Sequence, residues 1–169
     1  VLTNAAGNPA LRFDPGVGNS ITLANQLSFS VLGTSPLFIA DTGNNIVSGT
    51  VNMLAGTGGF VASVASGATL RFNGAISTAS TGHFVTLMGD GDGIVSSVQG
   101  TSTTSRTYSL TKLSGLGTWS LTINAAFSAY TGPTVIVQGG LKLDYSVAAA
   151  APANLLSSSS TLVLQGGTF

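Results

Sequence analysis

Three apolar pairs, Leu121 and Ile123, Leu141 and Leu143, and Leu162 and Leu164, follow one another at intervals of 20 and 21 residues. One residue separates the members of each pair, which in an extended chain puts both side chains on the same face. A unit that returns at a nearly constant interval is what one turn of a β-solenoid requires. Each strand there lies parallel to its counterpart in the next turn, about 4.8 Å away. An antiparallel sandwich has turn signals about every 8 to 12 residues and gives no reason for the longer interval. The spacing therefore predicts an all-β parallel stack in which Leu121, Leu141 and Leu162 lie one above another.

Short alternating or apolar runs recur along the rest of the chain. Thirteen can be read, among them ALRF, SITLANQLSFSV, NIVSGTVNML, ATLRFNG, FVTLM, GTWSLTI and TLVLQ, separated by Gly, Asn, Ser and Pro. At about three strands per turn they predict roughly four to five turns, a stack of about 20 to 25 Å. One unit is expected over 1–169, with irregular turns over 1–63, repeat-like turns over 64–146 and a loop with a final turn over 147–169. Thr78 to His83, Gln99 to Arg106 and Val147 to Ser160 read as loops leaving the regular body, and Pro152 interrupts any helix in SVAAAAPANLL. The closing LVLQGGTF reads as a strand, a glycine turn and the start of another strand, so a junction with further turns is expected there.

Composition suits such a stack and removes several function classes. The 23 glycines and many Ser, Thr and Asn supply turn and strand residues, while good helix formers are scarce. Five Lys and Arg balance five Asp, so no basic field exists for nucleic acid or anionic lipid. Without cysteine there is neither a disulfide nor a thiolate metal site. The opening VLTNAAGNPALRF lacks the basic and apolar regions of a signal peptide. The uncharged run from Asp14 to Asp41 carries Pro15, Gly16, Gly18, Asn19 and Pro36, which rules it out as a spanning helix.

The segment LTKLSGLGTWSLTINAAFSAYTGPTVIVQGGLKLDYS, Leu110 to Ser146, resembles the autotransporter-associated β-strand repeat, also called the passenger-associated transport repeat. Lys112, Gly115, Gly117, Thr118, Leu121, Tyr130, Thr131, Gly132, Thr134, Val137, Gly140, Leu141 and Leu143 fall into its pattern, and Gly139 forms the glycine pair with Gly140. Trp119 stands where an aliphatic residue is usual, and NAAFSAY replaces the usual glycine and asparagine between strands. VASGATLRFNGAIS, from Val64, and STLVLQGGTF are similar to neighbouring turns of that repeat. The resemblance implies a right-handed parallel β-helix from a large bacterial surface or secreted protein, with Gly115, Gly117, Gly132, Gly139 and Gly140 at its turns.

Candidate chemistry is sparse. In MGDGDGIV, Asp90 and Asp92 among glycines look like part of a calcium loop, but calcium takes six to eight oxygens and no further acid lies nearby. A glycine-rich turn with two solvated carboxylates is the alternative. His83, the single histidine, cannot build a zinc site alone and reads as a residue at the surface or at the start of a strand. Arg12 with Asp14 and Lys142 with Asp144 read as exposed ion pairs. No catalytic set and no cofactor is expected. Trp119 shares the parity of Leu121 and belongs in the core, whereas Phe127, Tyr130 and Tyr145 sit near corners where a glycan could stack.

These readings lead to a structural segment of an extracellular fibre, surface filament or adhesin stalk on the outer bacterial surface. Its partner is expected to be itself, the edge near Phe169 meeting the edge near Val1. The alternative is a carbohydrate or host-surface binding module carried on the solenoid, and a polysaccharide-degrading enzyme is a further one. No nucleic acid and no membrane-spanning segment is expected.

Overall fold

Alternation with period two commits these segments to strands, and the glycine, asparagine and serine corners between them keep each strand short. The computed structural model describes residues 10–29, 34–53, 58–78, 83–96, 98–100, 109–122, 132–146, 156 and 160–166. The first turn consists of β1 (Leu11–Phe13), β2 (Ser20–Leu23) and β3 (Leu27–Phe29), and the second of β4 (Phe38–Ala40), β5 (Asn44–Val47) and β6 (Val51–Met53). The third holds β7 (Gly59–Val64), β8 (Thr69–Phe72) and β9 (Ile76–Thr78), and the fourth β10 (Phe84–Gly89), β11 (Asp92–Val95) and β12 (Val98–Gly100). Next come β13 (Ser109–Ser114) with β14 (Thr118–Thr122), β15 (Thr134–Ile136) with β16 (Gly140–Asp144), and finally β17 (Leu162–Leu164).

Counterpart strands pair in parallel and build three sheets, ordered β1-β4-β7-β10-β13-β15-β17, β2-β5-β8-β11-β14-β16 and β3-β6-β9-β12. The chain is thus a parallel β-solenoid with about three strands per turn, and four turns show all three. Gln99, expected in a loop, pairs with Ser77 inside the third sheet. Most of the segments expected as loops, together with Ile123, Phe127, Tyr130, Val1 and Phe169, lie outside the described residues.

The register differs from the one the leucine spacing suggests. Leu121 pairs with Leu143 and Trp119 with Leu141, a slip of two residues from the expected stack. Leu162 lies in a different sheet, opposite Thr134, with Leu164 opposite Ile136. Alternation cannot detect a slip of two, because it leaves every side chain on the same face. The corner settles it: Gly140 opens β16 opposite Thr118, not at a turn as its place in the repeat implies, and its N–H donates to Gly117 O at 3.3 Å. A turn therefore takes more than the expected 20 or 21 residues, as the register partners Trp119 with Leu141 and Asn45 with Leu70 show.

Inward-facing columns make the core. Leu23, Val47, Phe72, Val95, Leu121 and Leu143 are successive register partners in the second sheet, and all but the end members Leu23 and Leu143 are fully buried. In the early turns the interior is aromatic: Phe38 stands edge-on to Phe72 with ring centroids 5.1 Å apart and to Phe29 at 5.5 Å, while Phe60 meets Phe72 at 5.0 Å. Edge-to-face pairs of this kind add to burial because the positive ring edge meets the negative face.

Later turns exchange the phenylalanines for Trp119, which is fully buried, as its parity with Leu121 predicts. Its indole lies over Gly93 in the turn before, where a Cβ would overlap the ring, and its Nε1–H donates to Met88 O at 3.2 Å. Gly93→Ala is expected to lower stability by about 1 to 3 kcal/mol through forced repacking of this indole, measured as a drop in the denaturant midpoint. Phe38→Ala is expected to cost about 3 to 5 kcal/mol, since it empties the centre of the aromatic cluster.

Candidate functional site

The polar groups sort into two sets, those that tie one turn to the next and those that face outward into a groove. Asp90 and Asp92 belong to the first. Asp90 Oδ1 accepts the Leu116 N–H at 2.8 Å, and Asp92 Oδ1 accepts the Thr118 N–H at 2.9 Å, both from the following turn. Each carboxylate thereby caps a corner N–H that the sheet ladder does not reach. Among the described residues no cluster of three or more His, Cys, Asp or Glu could hold a metal ion.

Asp14 and Asp41 also tie one turn to the next at an earlier corner, but through side-chain partners. Arg12 forms its ion pair with Asp41, 2.7 and 2.9 Å from the two carboxylate oxygens, and not with Asp14 as their closeness in sequence suggests. Asp14 instead accepts the Thr42 hydroxyl at 2.6 Å. The next turn lies one strand spacing away, and there the Asp41 carboxylate meets both Nε and one Nη of the guanidinium, the bidentate geometry that favours this pair. Lys142 and Asp144 do pair, at 2.9 Å.

Lys112 is buried in an inward column between Leu87 and Ile136. Its Nζ donates to Ser114 O at 2.6 Å and Gly115 O at 2.9 Å, closing the corner from inside. Burial pushes the ammonium pKa down, and the charge of Asp90 acts against that shift. Gly115 takes a φ of +82° at this corner and packs on the backbone of Gly89, with no room for a Cβ. Gly117 lies on Gly91 in the same manner, Gly139 lies over Gly115, and Gly132 sits at the bend before β15. Asn45 is a comparable inward cap, its Nδ2 donating to Thr42 O at 2.9 Å and Thr69 O at 3.0 Å. His83 is buried immediately before β10, so its place at the start of a strand stands and a surface position does not.

The second set lines a groove of about 350 Å3 on the outer face of the second sheet, toward the ends of its strands. Asn73, Ser96, Thr122 and Asp144 each follow or end a strand at equivalent places in four successive turns, and Arg71 and Ile94 lie beside them as register partners. The Ser96 and Thr122 hydroxyls are 3.3 Å apart. Hydrogen bonds from the hydroxyl and N–H of Ser146, then from Lys142, hold the Asp144 carboxyl well below the usual carboxylate range. Tyr145, adjoining this wall in the chain, is exposed. Leucine spacing gave no sign of this groove; the outward members of the same strand patterns, in correct register, would have.

Comparison with family models, with characterised proteins and with solved structures finds no match. No helix among the described residues is long and apolar enough to cross a membrane.

Lys112→Met is expected to cost about 1 to 3 kcal/mol by leaving two corner carbonyls without their donor, read as a lowered denaturant midpoint. Asp144 gives a pH prediction with a defined sign. A depressed folded-state pKa contributes stability above the ordinary carboxylate value of 3.8, and that contribution disappears as pH falls through the folded value. Carboxyl-carbon NMR is expected to show Asp144 still ionised below pH 3.8, with its titration moving up toward that value in Ser146→Ala.

Proposed function

We propose that this chain is a structural segment of an extracellular fibre, surface filament or autotransporter-type stalk that extends by end-to-end strand stacking. The observation that carries the reading is the exposure of β17, the final strand among the described residues. Leu162 and Leu164 continue the inward columns above Thr134 and Ile136, yet they are 41% and 56% exposed where those partners are buried. At the opposite face Ile21, the register partner of buried Asn45, is also exposed. Among the described residues β1, β2 and β3 each pair along one edge only. An apolar column together with an unpaired strand edge is what a further parallel turn covers.

The polar chemistry supports a scaffold, since each of the five aspartates accepts a hydrogen bond or ion pair within the stack. The resemblance of Leu110 to Ser146 to the passenger repeat supports a bacterial surface location and gives the class of fibre.

Electron microscopy and sedimentation of the purified chain test the proposal. Filaments or concentration-dependent end-to-end oligomers are expected, and Leu162→Lys with Leu164→Lys is expected to abolish them while preserving the β-sheet circular dichroism. A chain that stays monomeric at high concentration, or whose assembly ignores both substitutions, overturns it.

A further inference from the structure

Arg71 separates the outer groove from the rest of the polar surface. Arg12 is paired with Asp41 and Lys142 with Asp144, and Lys112 is bonded to backbone carbonyls. Among the described residues Arg71 is the cation that no carboxylate or carbonyl of the chain engages, and it is exposed on the groove wall. An unengaged guanidinium carries a planar set of donors that matches a carboxylate in bidentate fashion.

What lies beside it narrows the ligand. Asn73, Ser96, Thr122 and Asp144 form a column along the stack, one group per turn, ending in the carboxylate of Asp144. Three strand spacings make that column about 14 Å long, the reach of a short oligosaccharide. An amide, two hydroxyls and a carboxylate supply both donors and acceptors, as a row of sugar hydroxyls requires. Ile94, half-buried next to Arg71, offers an apolar contact for the C–H face of a ring. The groove volume of about 350 Å3 lies within the usual range for small-ligand sites. A polyanion such as nucleic acid is disfavoured, because Arg71 at one end and the Lys142–Asp144 ion pair at the other present no extended positive field.

We propose that this groove binds an acidic glycan: Arg71 takes the carboxylate of a uronic-acid residue, and Asn73, Ser96, Thr122 and Asp144 hydrogen-bond the ring hydroxyls along the stack. The site is built from four turns within the segment and is independent of end-to-end assembly. A fibre of such segments would present it once per segment, a spacing that favours multivalent attachment to a polysaccharide.

The test is calorimetric titration of the chain with trisaccharides of galacturonate, glucuronate and mannuronate, each also in carboxyl-reduced neutral form, and with sodium sulfate. Saturable binding of at least one uronide is expected, with its reduced form weaker by about tenfold or more, the size of a lost charge-assisted hydrogen bond. Arg71→Gln is expected to produce the same loss. Thr122→Val is expected to weaken the uronide and to leave any sulfate binding unchanged. Circular dichroism checks that both exposed-face variants keep the sheet. No uronide binding at millimolar concentration overturns the proposal, as does equal binding of the reduced form, sulfate binding as tight as that of the sugar, or indifference to Arg71→Gln.

Discussion

Parallel hydrogen bonding between successive turns is the constraint on which the structure depends. Each strand inside a sheet has its backbone partners in the turn before and the turn after, so every turn must advance the chain by one strand spacing and restore its register. The corner bonds show how tightly this is kept: Leu37 N–H donates to Val61 O at 2.9 Å, Asn44 N–H to Asn19 O at 2.9 Å and Ser96 N–H to Phe72 O at 2.9 Å. Once the ladder is in place, the interior columns, the corner caps and the outer groove are all generated by one operation repeated along the axis.

Corners are where this repetition is hardest to sustain, because strand hydrogen bonding lapses there and the backbone of adjacent turns must still be close. Two devices meet the demand. Glycines stack on glycines, as Gly115 on Gly89 and Gly117 on Gly91, where any side chain would collide with backbone. Polar side chains then take up the backbone groups left over: Asp90 and Asp92 from outside, Lys112 and Asn45 from inside. The buried ammonium is retained because two carbonyls replace the water it gives up. With so many of the polar groups employed in holding turns together, Arg71, which no carboxylate or carbonyl among the described residues engages, and the exposed Asn73 beside it stand out.

Particular residues show why some of this was legible and some was not. Trp119 could be placed in the core from its parity with Leu121, since alternation directly reports the face of a strand. The acidic pair in MGDGDGIV looked like metal chemistry because a local motif carries no information about the turn lying above it, and the N–H groups it caps belong to Leu116 and Thr118. Closeness in sequence points Arg12 to Asp14 and not to Asp41 for the same reason, and no local stretch of sequence contains the groove, because its members lie in four turns.

The sequence by itself determined that the chain is all-β, that its strands are short and stacked in parallel, and which side chains of a strand such as β14 turn inward. Those properties follow from periodicity and turn chemistry, which act over a few residues. Tertiary structure decided the register, setting Leu121 on Leu143, Trp119 on Leu141 and Leu162 in another sheet. Register depends on how corners of unequal length align their glycines across turns, and a slip of two residues is silent in the alternation of a single strand. Every contact between turns, including the Asp caps and the groove around Arg71, depends on that alignment.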